Sequence, residues 1–121
     1  MKTSLVVDDS RVIRKVARRI LEGMGFEVAE ASDGQEALRW CLATMPDAIL
    51  LDWNMPILSG LDFVRQLRLE PGGQQPVVVF CTIENDKEHV VAALDAGANE
   101  YIMKPFDGDV IRAKFAEAGL I

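Results

Sequence analysis

Apolar residues along this chain change period repeatedly, from short continuous runs to helical spacing and back. Ser4 to Val7 predicts a short buried strand, and Val12, Ile13, Val16, Ala17, Ile20, Leu21 and Met24 follow at the spacing of a helix with one inward face. Gly23 and Gly25 suit the end of that helix, and Phe26 to Ala31 predicts a second strand. Asp33-Gly34 marks a turn, after which Ala37, Leu38, Cys41, Leu42 and Met45 form another helical stripe, ended by Pro46. Ala48 to Leu51 is wholly apolar, as in a central strand covered on both faces. Beyond a loop from Trp53 to Gly60, Leu61, Val64 and Leu67 make a third stripe, and Pro71-Gly72-Gly73 breaks the chain. Val77 to Cys81 is rich in β-branched residues and predicts a fourth strand. Asn85 and Glu88 have the spacing of a capping pair ahead of Val90, Val91 and Leu94, on a helix that stops near Gly97. Tyr101-Ile102-Met103 predicts a fifth strand, and Asp107 to Ala118 a last helix with Val110, Ile111 and Phe115 inward.

Five strand–helix units in succession imply an α/β domain with a parallel sheet and helices on both faces. The 121 residues suffice for one domain, spanning 1–121, with no linker, repeat or low-complexity tail. The fifth helix closes the chain, so output is expected from the surface of this domain. No apolar run approaches the ~20 residues that span a bilayer, and Met1-Lys2-Thr3-Ser4 does not open a leader peptide. The expected location is the cytoplasm, with no membrane contact. A net charge of −6 argues against nucleic acid as partner. Arg11, Arg14, Lys15, Arg18 and Arg19 sit at helical spacing and read as a solvated face. Cys41 and Cys81 have neither metal-ligand nor disulfide-framework spacing and read as reduced thiols. His89 is the one histidine, expected on a solvated helix face, and Trp40 is expected to be a partly exposed aromatic.

In an open parallel sheet, ligands bind outside the carboxyl ends of the strands. The first strand ends at Asp8-Asp9, the third at Asp52, the fourth at Thr82 and the fifth at Lys104. Three carboxylates, a hydroxyl and an ammonium thus meet at one edge. Two carboxylates ~4 Å apart repel by about 4 kcal/mol at an effective dielectric of 20, so crowding them implies a hard cation. Mg²⁺ suits this set: it accepts few carboxylates, keeps waters and leaves positions for phosphate oxygens. An aspartate carboxylate can take a phosphoryl group as nucleophile. The three phosphoryl oxygens would then be neutralised by the cation, by Lys104 and by the Thr82 hydroxyl. Singly, Asp8 and Asp9 could instead cap the first helix.

In this combination the chain resembles the response-regulator receiver domains over essentially its full length. The resemblance rests on Asp8-Asp9, Asp52-Trp53-Asn54-Met55-Pro56, Gly60, Thr82 and Tyr101-Ile102-Met103-Lys104-Pro105-Phe106. The intervals of 43 residues from Asp9 to Asp52, 30 to Thr82 and 22 to Lys104 match the family. Within it, Asp52-Trp53-Asn54-Met55-Pro56 and Glu84 resemble the CheY-like single-domain subfamily. The resemblance implies a flavodoxin-like (βα)5 doubly wound parallel sheet of strand order 2-1-3-4-5. It implies Asp52 as phosphoacceptor and Mg²⁺ held by Asp9, Asp52 and the Asn54 carbonyl, with Asp8 assisting through water. Lys104 would pair with the phosphoryl group through a cis Lys104–Pro105 segment, and Thr82 and Tyr101 would be the switch pair. The readout surface would be the fourth helix, fifth strand and fifth helix. Such a regulator is no enzyme in the ordinary sense, though it promotes its own phosphotransfer and dephosphorylation. The implied partners are a sensor histidine kinase or histidine phosphotransfer protein and a downstream protein, such as a flagellar motor switch, met by a monomer in two-component signalling.

Two residues depart from the family pattern. Ile83 follows Thr82 where a small residue is usual, and with Glu84 it is expected to modulate access to the site and slow loss of the phosphoryl group. Ser59 stands before Gly60 where Asp is common, with a local loop effect expected. Trp53 beside the acids should report ion binding by fluorescence, and Cys81 reads as a small core residue. Two other functions fit the fold: an aspartate-nucleophile phosphatase, which normally has a second acid where Asn54 stands, and a binding module that works without phosphorylation, with Ile83 blocking the site. Chemotaxis, a phosphorelay and control of a kinase remain alternatives among the phosphorylated readings.

Overall fold

A computed structural model describes residues 1–53, 55–83, 87–104 and 106–121. Strands and helices alternate as β1 (Thr3–Val7), α1 (Arg11–Gly23), β2 (Glu27–Ala31), α2 (Gly34–Ala43), β3 (Ala48–Asp52), α3 (Gly60–Leu69), β4 (Val77–Thr82), α4 (Lys87–Ala96), β5 (Glu100–Met103) and α5 (Gly108–Glu117). The strands form one parallel sheet in the order β2-β1-β3-β4-β5. Period-2 alternation explains why helices cover both faces. Leu5, Val7, Ile49, Leu51, Val78 and Phe80 point into a core closed by α2, α3 and α4. Val6, Ala48, Leu50, Val79 and Cys81 point into a second core under α1 and α5.

The register carries the site. Val7 lies level with Ala31 on one side and Leu51 on the other, Asp52 with Cys81, and Thr82 with Met103. Residues just past these positions therefore emerge at one edge of the sheet.

Several helical stripes are narrower than their apolar spacing predicts. On α1 only Ala17 and Leu21 are buried, and Val12 is 70% exposed. Leu42 on α2 and Val110 on α5 also face out. On α4 the expected inward residues Val91 and Leu94 are 45% and 48% exposed, and Ala93 and Ala96 are buried instead. Small side chains let α4 lie close to the sheet, which leaves its branched residues on the flank. Phe63, unremarked in the apolar spacing of α3, is completely buried.

Helix ends follow local chemistry. Ser10, Asp33, Ser59 and Asp107 accept hydrogen bonds from the backbone N–H of Ile13, Glu36, Asp62 and Val110 at the starts of α1, α2, α3 and α5. The departure at Ser59 is thus a helix cap. The Asn85–Glu88 capping pair involves a residue outside the described ones. Gly25, at φ 95°, turns the chain after α1 so that the Phe26 N–H reaches the Leu21 carbonyl. At the opposite edge from the acids, Arg68 gives all its guanidinium donors to neutral acceptors: the carbonyls of Gly73, Pro76 and Gly97, and the Asn99 side chain. Among the described residues no helix is long and apolar enough to cross a membrane.

Candidate functional site

Asp8, Asp9 and Asp52 converge as predicted. Each places a carboxylate oxygen within 4.8 Å of the others, with Asp8 and Asp52 buried and Asp9 exposed. The backbone explains the meeting. Asp8 follows β1 and continues its ladder, its N–H donating to the Ala31 carbonyl at 3.1 Å. Asp52 closes β3, the strand beside β1, and Asp9 stands one residue further out. Helix capping at α1 belongs to Ser10, whose own N–H donates to Asp8 Oδ1 at 2.9 Å, so the acids are not that helix's cap.

Lys104 completes the cluster. Its Nζ donates to Asp8 Oδ2 at 2.8 Å and to Asp52 Oδ1 at 2.9 Å, and its N–H donates to the Thr82 carbonyl. Among the described residues one ammonium meets three carboxylates here, a local deficit of positive charge. The titration directions agree with this deficit. Burial pushes the Asp52 carboxyl above its ordinary value; the Lys104 hydrogen bond pulls it back, and the nearby Asp8 charge raises it again. Burial lowers Lys104, yet its hydrogen bonds to Asp8 and Asp52 outweigh that and raise it overall. A shared lysine is thus well satisfied, and Asp52 is not. All the donors here are carboxylate oxygens, with no thiolate or imidazole among them, which fits a hard divalent cation and not zinc.

An open pocket of about 190 Å³ leads to Asp52 and is lined by Asp52, Trp53, Thr82, Ile83 and Lys104. Asp52 is 8% exposed and Ile83, which also lines the pocket, is 69% exposed. Gly60 is needed close by: a Cβ there would run into the Asp52 carbonyl and come within 2.9 Å of the Phe80 ring. Asn54, Glu84 and the Lys104–Pro105 segment, expected as metal ligand, access residue and cis bond, involve residues outside the described ones.

Tyr101 is half-buried on β5 and lines a crevice with Trp53, Phe80, Thr82, His89, Val90 and Ala93, too narrow for a water molecule. Lys114 Nζ lies 5.8 Å from its ring centroid and 3.2 Å from Glu100. His89 differs from expectation: its ring packs on Trp53 at 5.1 Å and is half-buried. Trp53 in turn meets Phe80 at 5.0 Å, so the aromatic beside the acids contacts α4 directly. Both thiols are buried, which pushes Cys41 up to about 12 and raises Cys81 as well, so neither is a reactive thiolate at neutral pH.

One supporting group was not anticipated. Arg14 donates to the Asp8 carbonyl at 2.7 Å and to Glu30 at 3.1 Å, and Arg18 donates to the same Glu30 at 2.7 Å. The Arg18 hydrogen bond is the main reason the Glu30 carboxyl is held below its usual range. Arg14 thereby ties the acidic turn to β2. The pairing crosses from helix to strand, and no spacing rule within one element marks it.

A parallel sheet of this order, with acids and a lysine at its carboxyl edge, is the architecture of a receiver domain, and comparison with known proteins agrees. Residues 4–116 match the response regulator receiver domain family, and the chain belongs to it. It is CheY-like: it is 39% identical over 112 residues to chemotaxis protein CheY1 of Helicobacter pylori, covering 91% of this chain and 90% of that protein. Chemotaxis protein CheY4 of Vibrio cholerae superposes with a TM-score of 0.92 at 31% identity, over 97% of this chain and 98% of that one. Response regulator MprA of Mycolicibacterium vanbaalenii is 46% identical over 102 residues, 84% of this chain but 43% of that protein. Two-component signalling is therefore the setting of this chain.

Proposed function

We propose that this receiver takes a phosphoryl group on Asp52 from a phosphohistidine of a sensor kinase or a phosphotransfer protein, with Mg²⁺ bound beside it. The observation that carries the reading is the meeting of Asp8, Asp9 and Asp52 within 4.8 Å with Lys104 2.9 Å from Asp52. Asp9 and Asp52 would hold the ion, together with the Asn54 carbonyl. Asp8 has both oxygens engaged by Ser10 and Lys104, which suits an indirect role through water. When bound, the cation supplies charge neutralisation for the transferring phosphoryl group.

The chain's own residues account for the rest. An Asp52 oxygen attacks phosphorus, the P–N bond to the donor imidazole breaks, and its electron pair stays on the imidazole nitrogen, which takes a proton. Lys104, already at the Asp52 carboxylate, is placed to follow the charge onto a phosphoryl oxygen. The Thr82 hydroxyl, in the same pocket, takes another. Thr82 and Tyr101 border one crevice, so movement of Thr82 toward the phosphoryl group opens space that the Tyr101 ring can enter. The output surface is α4, β5 and α5. Val91 and Leu94 are exposed there, and a shallow groove of about 570 Å³ is lined by Lys87, Glu88, Val91, Ala92 and Asp95. Likeness to two chemotaxis proteins favours a motility target such as the flagellar motor switch, reached in the cytoplasm by a monomer. The MprA likeness keeps other pathways as the alternative.

Incubation with acetyl phosphate and Mg²⁺, read by intact mass, tests the reading. The parent chain should gain one phosphoryl group, lost on chelation of Mg²⁺ or in Asp52→Asn. Equal labelling of Asp52→Asn would sink it.

A further inference from the structure

The Asp8 carbonyl is held by a helix and not by the sheet. The Asp8 N–H still joins the ladder, donating to the Ala31 carbonyl at 3.1 Å, but β2 ends at Ala31. Arg14, in the first turn of α1, instead donates from Nη1 to the Asp8 carbonyl at 2.7 Å. Its Nε donates to Glu30 at 3.1 Å, so the planar guanidinium is fixed at two angles between β2 and the acidic turn. Asp8 is buried and the Arg14 side chain mostly so, which limits competition from water.

What this hold controls is Asp9. The Asp8 carbonyl belongs to the rigid peptide plane that leads into Asp9. The peptide on the far side of Asp9 is tied as well, because the Ser10 N–H donates to Asp8 Oδ1 at 2.9 Å. Asp9 is exposed, yet its carboxylate lies within 4.8 Å of those of Asp8 and Asp52. Its direction is therefore set by the two peptides that flank it and not by burial. Attraction does not explain the arginine, since a positive charge beside a cation site repels the cation. Here that charge is offset: Glu30 accepts from Arg14 and Arg18, and Arg18 also meets Glu22 at 3.2 Å, two arginines against two glutamates.

Such a hold matters unequally to different ions. Mg²⁺ requires near-ideal octahedral oxygens at about 2.1 Å, whereas Ca²⁺ accepts irregular sets at about 2.3–2.6 Å. We propose that Arg14 is a positioning residue for the cation site, fixing the Asp8–Asp9 peptide so that Asp9 meets the demands of Mg²⁺ and the site prefers Mg²⁺ to Ca²⁺. The inference rests on the reading of Asp9 and Asp52 as Mg²⁺ ligands. Loss of a group that orients a metal ligand typically lowers affinity about tenfold to a hundredfold.

The test compares the parent with Arg14→Met and Arg18→Met. Each variant removes one positive charge from α1 and one hydrogen bond to Glu30, but only Arg14 touches Asp8. Dissociation constants for Mg²⁺ and for Ca²⁺ are read from Trp53 emission and from the ion-dependent rise in melting temperature. Arg14→Met should weaken Mg²⁺ binding about tenfold and leave Ca²⁺ binding unchanged, while Arg18→Met changes neither. Unchanged Mg²⁺ affinity in Arg14→Met would overturn the proposal, and so would equal weakening of both ions or the same loss in Arg18→Met. Should Arg14→Met not fold in chelator, Arg14→Lys decides: it keeps the charge and the stem but cannot hold two acceptors in a planar fork, and parental Mg²⁺ affinity in that variant would overturn the proposal. If the parent binds Mg²⁺ and the Arg14 variants bind it equally well, the positioning role fails and the metal reading stands; if the parent binds no Mg²⁺, both fall.

Discussion

At the scale of single residues, the side chains lining the pocket over Asp52 are where the proposed phosphoryl chemistry can be tested. Ile83 is 69% exposed and lines the pocket that leads to Asp52, so on the proposed reading its branched side chain would screen an acyl phosphate there from water. Ile83→Ala is expected to shorten the phosphorylated lifetime. Half to one kcal/mol off the hydrolysis barrier corresponds to about twofold to fivefold, measured as decay of the labelled protein after removal of the donor. An unchanged lifetime would count against screening by Ile83. The acids, Thr82 and Lys104 were legible in the sequence because each ends a strand, and parallel strands in register bring such ends together. His89 was not, because its contact depends on where α4 begins relative to Trp53, and no spacing rule joins residues 36 positions apart. Asp8 shows the remaining limit: the family resemblance implied a role through water, but the physical reason for it, the pairing of its two oxygens with Ser10 and Lys104, was not legible in its residue type.

Among elements, the sheet was legible and the helix faces only partly so. Continuous apolar runs such as Ala48 to Leu51 are unambiguous, because a strand covered on both faces tolerates no polar alternate. A helix over a sheet buries a strip whose width depends on how closely it approaches, and the apolar count does not reveal this. α4 packs through Ala93 and Ala96 and leaves Val91 and Leu94 outside. Such a helix has few large side chains buried against the sheet, which would suit the output role proposed for it. The opposite edge is built for rigidity. Arg68, on α3, joins the end of α3, the entry to β4 and the end of α4 through carbonyls of Gly73, Pro76 and Gly97 and the Asn99 side chain. Burial lowers its pKa, and no carboxylate offsets that burial among these partners. Arg68→Lys cannot reproduce the planar fork and leaves carbonyls unpaired, each worth on the order of 1 kcal/mol or more. A loss of about 3 kcal/mol is expected in urea unfolding, with acetyl phosphate labelling of the folded protein retained. A loss under 1 kcal/mol would show that water replaces the guanidinium without difficulty.

For the whole molecule, the acidic edge is expected to make stability depend jointly on pH and on a bound cation. Asp52 has a folded-state pKa raised above its unfolded value, chiefly by burial, so the folded chain binds a proton there more tightly than the unfolded chain. The penalty for its charge is present at neutral pH and is relieved as pH falls through the folded pKa. Glu30 works in the opposite sense. Held low mainly by Arg18, it stabilises the fold above its unfolded pKa, and that contribution is lost only as pH falls through its depressed value. Moderate acidification should therefore relieve Asp52 before it costs Glu30. In a chelator, the melting temperature is expected to rise between neutral pH and the folded pKa of Asp52. Part of any rise comes from the general loss of negative charge on a chain of net charge −6, so the Asp52→Asn variant serves as the reference. Its slope should be shallower, and its metal-free melting temperature at neutral pH higher than the parent's. Mg²⁺ offers a second route to the same relief. At a hundredfold excess over its dissociation constant it should add about 2.7 kcal/mol at neutral pH, and less as protons compete for the carboxylates. Parallel pH slopes for parent and Asp52→Asn, with and without Mg²⁺, would mean that the crowded acids do not hold the charge excess on which a metal-dependent receiver relies.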